Sequence, residues 1–516
     1  MTTSILNPES SALVSQEVPA PIPAASAGYV IYRIRHTLAS RFAFLMVCLA
    51  IILSALAYGT VHYWALAIFF LAAITILVLW LIDSWNLGTF RVSRNILQLP
   101  VLGMFLLGVF QLLPLRHPED IGTHSIPLVS SLSFDPYSTR LVLVQTMALL
   151  IYFAAVLVFT DTPKRLRLLV RTIGVFGFFL AIFGLTQSFT SPDKIYWMRE
   201  LPQSQAFGPF INRHHFAGYM ELALALPLGL VLTGAIEKEK RFIYVFAAGL
   251  MAVALVMTNS RGGIISLLAE VLFLVATMGL RRRRRRKHRK TESESESDER
   301  PTRIRSAAVK AGLALALIVA LFGSVVLLGG EDALTRVVGS VNTDDPTTGR
   351  AHFWSVTVDI IKTHPWIGTG LGAFGVVYTG YDSRNGMYRL EQAHNDYLQT
   401  LSDGGIIGAL LGLFFIVNLF RMGFIRRASR DDFRRGVATG AMAGCFAVLV
   451  HSFFDFTLHT PANALLFLTM AALATMNGRV EDVQSRRIKR PRRSSTTTTD
   501  SSPQPALLTT QGESPG

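Results

Sequence analysis

The chain has 516 residues, 51% of them hydrophobic and only 16% charged, and its mean hydropathy is +0.41. A soluble domain carries about 25% charged residues, so the deficit points to lipid as the solvent and excludes an ordinary soluble enzyme. The formal charge of +15 is gathered in blocks between apolar runs, the pattern of cytoplasmic loops, which favours membrane lipids over nucleic acid as a partner.

Residues 1–41 are polar and rich in Pro, Ala and Ser, and read as a disordered cytoplasmic N-terminus without a cleavable signal peptide. A transmembrane domain follows over 42–478. Twelve stretches in it approach the roughly 20 apolar residues that a spanning helix needs: 42–58, 62–82, 96–115, 140–160, 167–188, 216–235, 242–258, 262–280, 307–329, 405–421, 436–455 and 460–478. Very short turns make the pairs at 42–82 and 242–280 helical hairpins. Cys48 and Cys445 both fall inside apolar runs, where a thiol serves as a small hydrophobe. With the N-terminus inside, every dense basic run lies on the cytoplasmic side, from RIRHTLASR through RRRRRRKHRK to RRIKRPRR.

The fold expected is therefore an all-α polytopic membrane protein of about 12 spans, both termini cytoplasmic. A large external loop at 330–404 separates spans nine and ten. The stretch 281–306 reads as a disordered cytoplasmic loop, and 479–516 as a disordered basic, Ser/Thr-rich tail. No internal repeat divides the chain into the two related halves of a transporter.

External loops are normally poor in arginine, yet these hold Arg199, Arg213, Arg261, Arg336, Arg350, Arg384 and Arg389. Guanidinium groups at a membrane surface suit bidentate recognition of phosphate, so together they favour a pocket for a phosphorylated lipid. For any one of them, snorkelling to headgroups is the alternative. Arg261 lies in the turn TNSRGG, where Gly262 and Gly263 permit close approach to a bound group. FINRHHFAG sets Asn212, Arg213, His214 and His215 just before a span. Neighbouring histidines on a helix point about 100° apart, and no Cys or HExxH partner is present, which argues against zinc.

In TTGRAHFWSVTVDIIKTHPWIGTGLGAF, Thr347 or Thr348 caps an amphipathic surface helix that presents Arg350 at its start and ends before Pro365. Its apolar stripe is expected to be Phe353, Trp354, Val358 and Ile361. GTGLGAF follows a helix and not a strand, so it is not a nucleotide loop. Asp344 and Asp345 read as a polar turn before proline rather than a cation site. In HSFFDFTLHTPAN, His451, Asp455 and His459 recur every four residues, on one face near the outer end of the eleventh span. A functional site and a polar network bridging helices both fit. Finally, EQAHNDYLQTLSDGGIIG brings Glu391, His394, Asn395 and Asp396 to the mouth of the tenth span.

Four stretches in order resemble the O-antigen ligase and O-antigen polymerase superfamily of bacterial membrane glycosyltransferases: NRHHFAGYMELALALPLG (212–229), TNSRGG (258–263), HPWIGTGLGAF with AHNDYLQTLSDGGIIG, and HSFFDFTLHTPANALLF. The family signature, His-Asn, nine residues, then Gly-x-x-Gly, is met by His394, Asn395, Gly405 and Gly408. The resemblance covers 205–478. It implies a GT-C-like fold in the bacterial inner membrane with its active site facing the periplasm, and it implies neither metal nor other cofactor. The donor would be an undecaprenyl-pyrophosphate-linked saccharide, and the acceptor a hydroxyl on a glycan or lipid, with inversion at the anomeric carbon. His394 matches the family's catalytic histidine, beside Asn395. Arg213 and Arg261 match arginines used on the pyrophosphate, and Arg350, Arg389, His215, His451 and Asp455 complete the candidate substrate-binding set. A transporter or flippase of lipid-linked glycan, or a protein O-oligosaccharyltransferase, is the alternative.

Overall fold

A computed structural model of the chain describes residues 36–116, 130–200, 206–290 (backbone only from 279), 350–383 and 390–477. The predicted ninth span at 307–329 lies outside these residues. So do Arg336, Asp344, Asp345, Thr347, Thr348, Arg384, Arg389, the tail, and most of the N-terminal segment and of the loop 281–306.

Within them the helices are α1 (Leu38–Leu56), α2 (Tyr63–Leu87), α3 (Gln98–Gln111), α4 (Pro136–Phe159), α5 (Pro163–Thr190), α6 (Arg213–Thr233) and α7 (Arg241–Met257). They continue with α8 (Arg261–Lys290), α9 (Arg350–Thr363), α10 (Phe374–Tyr381), α11 (Asp396–Arg426), α12 (Asp432–His451) and α13 (Pro461–Thr475). Among the described residues nine helices are long and apolar enough to cross a membrane, while α3 and α13 are shorter apolar helices. Every predicted span that lies in the described residues falls on one of these. A two-residue hairpin pairs Lys194–Ile195 with Arg199–Glu200.

The centre of the bundle is the pair α6 and α12, the most buried of the spans. Their seam is lined by glycines. A Cβ on Gly229 would sit 2.5 Å from the Gly440 Cα, and one on Gly440 would sit 2.4 Å from the Ala225 carbonyl oxygen. Without a hydrophobic drive between helices in lipid, such backbone-to-backbone packing is what holds two spans together. Cys445 is buried on α12, and Cys48 on α1; both thiols are free. α5 and α7 lie against α6, while α8 and α13 lie against α12. The site grows from the ends of this rigid pair.

Four expectations change. α7 and α8 do not form a packed hairpin: α8 turns away to lie against α12 and α6, because Gly262 and Gly263 let its first turn press onto His451, Phe454 and Ala217. Those glycines thus serve packing within the protein. α8 runs on through the basic block to Lys290, since arginine and lysine are good helix formers. The buried face of α9 is Phe353, Val356, Thr357 and Ile360, with Val358 exposed, because the helix packs into a second small core with Phe374, Val377 and Tyr378 of α10 rather than onto lipid. α11 starts at Asp396, well before the apolar run, and breaks at Gly405, whose φ is 61° and ψ −162°.

The break positions the loop that precedes the site. Ser402 and Asp403 offer their carbonyls to Thr369 and Gly370, and the amides of Ile406 and Ile407 reach the carbonyls of Pro365 and Trp366. Gln111 at the end of α3 locks the same segment, donating to the Ile367 and Asp403 carbonyls and accepting from Leu371. Residues 364–373 therefore form a strap that ties α3, α4 and α11 together. At the opposite end of the bundle, Arg91 bridges Asp83 and Asp161, and Arg165 joins Asp161 and Ser40.

Candidate active site

Five helix ends meet at one end of the bundle: the starts of α6, α8, α9 and α11 and the end of α12. The hub is the turn after α12, at 452–456. Asp455 in that turn is 1% exposed in its side chain and has three cationic or titratable neighbours. Arg350 Nη2 lies 3.5 Å from Oδ2, His394 Nδ1 lies 3.4 Å from Oδ1, and His214 Nδ1 lies 3.8 Å from Oδ2. The Phe456 amide donates to Oδ1 at 2.9 Å. Burial alone would raise the Asp455 carboxyl. The His394, His214 and His215 rings around it outweigh that effect and hold the carboxyl well below the usual range.

Each neighbour is set by local structure. Arg350 is the first residue of α9, and its guanidinium also donates to the Phe454 carbonyl. His394 is held at φ 52°, in the left-handed region that a residue with a Cβ seldom adopts. What fixes it is Asn395, whose side-chain oxygen accepts from the Tyr397 and Leu398 amides as the cap of α11, and whose Nδ2 donates to the Phe453 carbonyl. The Phe456 ring stands edge-on to the imidazole at 4.9 Å. Asn395 thus bonds to backbone through both its oxygen and its nitrogen and shapes the turn that holds His394.

The other expected residues distribute unevenly. Arg213 and Arg261 open α6 and α8, Arg213 half-buried and Arg261 exposed. His215 turns inward, where its Nδ1 meets the Thr460 hydroxyl at 2.7 Å. His451 is buried between Glu221 (2.8 Å) and Ser260 (3.5 Å). His451, Asp455 and His459 do not share a helix face, because α12 ends at His451 and the chain turns. His459 instead meets Asp396 at 2.8 Å, and that carboxylate raises the imidazole against the opposing effect of burial. Arg389 is outside the described residues.

Sequence reasoning passed over Ser260 and Glu221 and gave His214 no role. Glu221 carried a signal, as a lone acid in an otherwise apolar span.

A family model described as O-antigen ligase matches residues 246–413, a stretch that holds Arg261, Arg350, His394 and the Gly405 break but not α6 or Asp455. No curated protein matches the chain. The His394 turn, the arginine-led starts of α8 and α9 and the Gly405 break all lie inside the matched stretch, and this stretch is similar to the O-antigen ligase family.

Proposed function

We propose that the protein transfers saccharide from an undecaprenyl-pyrophosphate-linked donor to an acceptor hydroxyl on the periplasmic face of the bacterial inner membrane. In this reading it acts with inversion and without a metal, as an O-antigen ligase or a polysaccharide polymerase. One observation carries the reading. α6, α8 and α9 each open with an arginine, and all three starts border the 451–456 turn beside His394.

The chemistry follows from those parts. A helix start has a positive dipole end, and a guanidinium beside it adds a full charge, so three of them make a seat for pyrophosphate. The acceptor oxygen attacks the anomeric carbon from the face opposite the phosphate. The bond from that carbon to the phosphate oxygen breaks, and its electron pair leaves on the pyrophosphate, where the arginines neutralise it. The acceptor proton passes to His394. Asp455 beside Nδ1 keeps the proton of the neutral ring on that nitrogen, which leaves Nε2 as the base. Two carboxylates flanking the bond, as a glycosidase needs, are not required when the leaving group is already a good one.

Purified protein in detergent, given a polyprenyl-pyrophosphate saccharide and acceptor, is expected to form glycosidic product. His394→Ala is expected to lower kcat by about 10²–10⁴, the contribution of a positioned proton acceptor. Absence of product with wild-type protein would favour a transporter; undiminished turnover by the variant would remove His394 as the base.

A further inference from the structure

The reaction above uses one imidazole beside Asp455, yet the carboxylate has two. His214 approaches Oδ2 while His394 approaches Oδ1. Behind His214 runs a chain of side chains drawn from two helices, α6 and α12, and the turn before α8. His214 Nδ1 is 2.8 Å from the Ser260 hydroxyl, that hydroxyl is 3.5 Å from His451 Nε2, and His451 Nδ1 is 2.8 Å from Glu221 Oε1. Ser260, His451 and Glu221 are all buried to within 1%. A buried acid in a spanning helix is costly and calls for a reason.

The donors and acceptors along this chain can be assigned. The Gly263 amide donates to Ser260 Oγ at 3.2 Å, occupying one lone pair of the hydroxyl. The Asp455 carboxylate faces His214 Nδ1, so an unprotonated Nδ1 would set lone pair against lone pair. His214 Nδ1–H therefore donates to Ser260. The single Ser260 proton is then given to His451 Nε2, and His451 Nδ1–H donates to Glu221. All bonds run one way, from His214 to the buried carboxylate. The remaining nitrogen of His214, Nε2, has no hydrogen bond to the described residues and is not sealed from solvent.

We propose that Glu221 is a positioning residue which, through His451 and Ser260, holds the His214 proton on Nδ1 and so presents Nε2 as a second hydrogen-bond acceptor for a sugar hydroxyl at the site. Only the identity of that hydroxyl rests on the proposed glycosyl transfer. The arrangement places two unprotonated imidazole nitrogens around one carboxylate: one takes the attacking hydroxyl's proton, the other orients the sugar that carries it.

Full-length protein in proteoliposomes, labelled with ¹⁵N-histidine, reports the tautomer directly. The His214 signal is identified by its loss in His214→Gln. Wild type should show Nδ1–H. Ser260→Ala and Glu221→Met should shift the population towards Nε2–H. In the transfer assay each of the two disrupting variants should lower kcat at least tenfold with KM changed less than about twofold, and the double variant should be no worse than either single one. An unshifted His214 tautomer in Ser260→Ala, or additive losses in the double variant, overturns the proposal. If Glu221→Met does not fold, Ser260→Ala alone decides through the tautomer. A wild-type protein inactive on polyprenyl donors but with the expected tautomer shifts would refute the function and leave the relay standing.

Discussion

At the scale of single residues, Asp455 organises the site. A carboxylate taken out of water costs several kcal/mol unless it is paired and hydrogen-bonded, and here the Arg350 guanidinium supplies the charge while the His394 and His214 rings face the two oxygens. The sign of its pH effect follows. The folded-state pKa lies below the unfolded value of about 3.9, so the stability it contributes is present above that value and is lost only as pH falls through the lower one. Between pH 5 and 9 Asp455 stays ionised, and any pH profile of activity in that range belongs to other groups. Asp455→Asn is expected to lower kcat by about 10²–10⁴ throughout pH 5–9, because the amide no longer selects the ring tautomer or anchors Arg350. A loss confined to one end of that range, in a pH series of initial rates, would contradict this. The sequence singled out Asp455, but by a helical spacing that does not exist. Its real partners, Arg350, His394 and His214, lie far away in the chain, and one sequence carries no signal for such pairings.

At the scale of elements, hydropathy found the spans because lipid-facing side chains must be apolar whatever they pack against. It misplaced the start of α11 for a physical reason. Gln399, Ser402 and Asp403 are polar yet buried, since they face the strap at 364–373 and not water. Hydropathy cannot tell those two environments apart. The stripe of α9 was displaced likewise, by a small core that includes α10. The paired signature glycines also prove unequal. A Cβ on Gly405 would lie 2.4 Å from the Trp366 carbonyl carbon, at a φ and ψ open only to glycine, whereas one on Gly408 meets nothing nearer than 3.5 Å. Gly405→Ala should therefore cost more than the ~1–3 kcal/mol of backbone strain alone, and Gly408→Ala should be neutral or gain about 1 kcal/mol of helix propensity. Thermal unfolding in detergent separates them; equal melting temperatures for the two variants would refute the distinction.

At the scale of the whole molecule, the two ends of the bundle differ in what their charges do. At one end Arg91 and Arg165 are tied to Asp83 and Asp161 in a closed ionic network. At the other, Arg213, Arg261 and Arg350 open α6, α8 and α9, and Arg350 lies beside the buried Asp455 carboxylate. Closed networks brace helices, so in the proposed reading it is the second end, with an arginine at each of three helix starts near His394, that takes the pyrophosphate. This assignment requires that end to face outward, and the positive-inside bias of the loops gives the same orientation. The molecule is well suited to a test, because Cys48 and Cys445 are buried and contribute little background labelling. Asp193, exposed in the loop before α6, and Glu239, exposed in the turn after it, are separated by one crossing of the bundle. In intact spheroplasts a membrane-impermeant maleimide should label Asp193→Cys, and it should label Glu239→Cys only after permeabilisation. The reverse pattern would put the arginine-lined end in the cytoplasm, where the proposed periplasmic transfer could not take place, and labelling of both from outside would mean that α6 does not span the membrane.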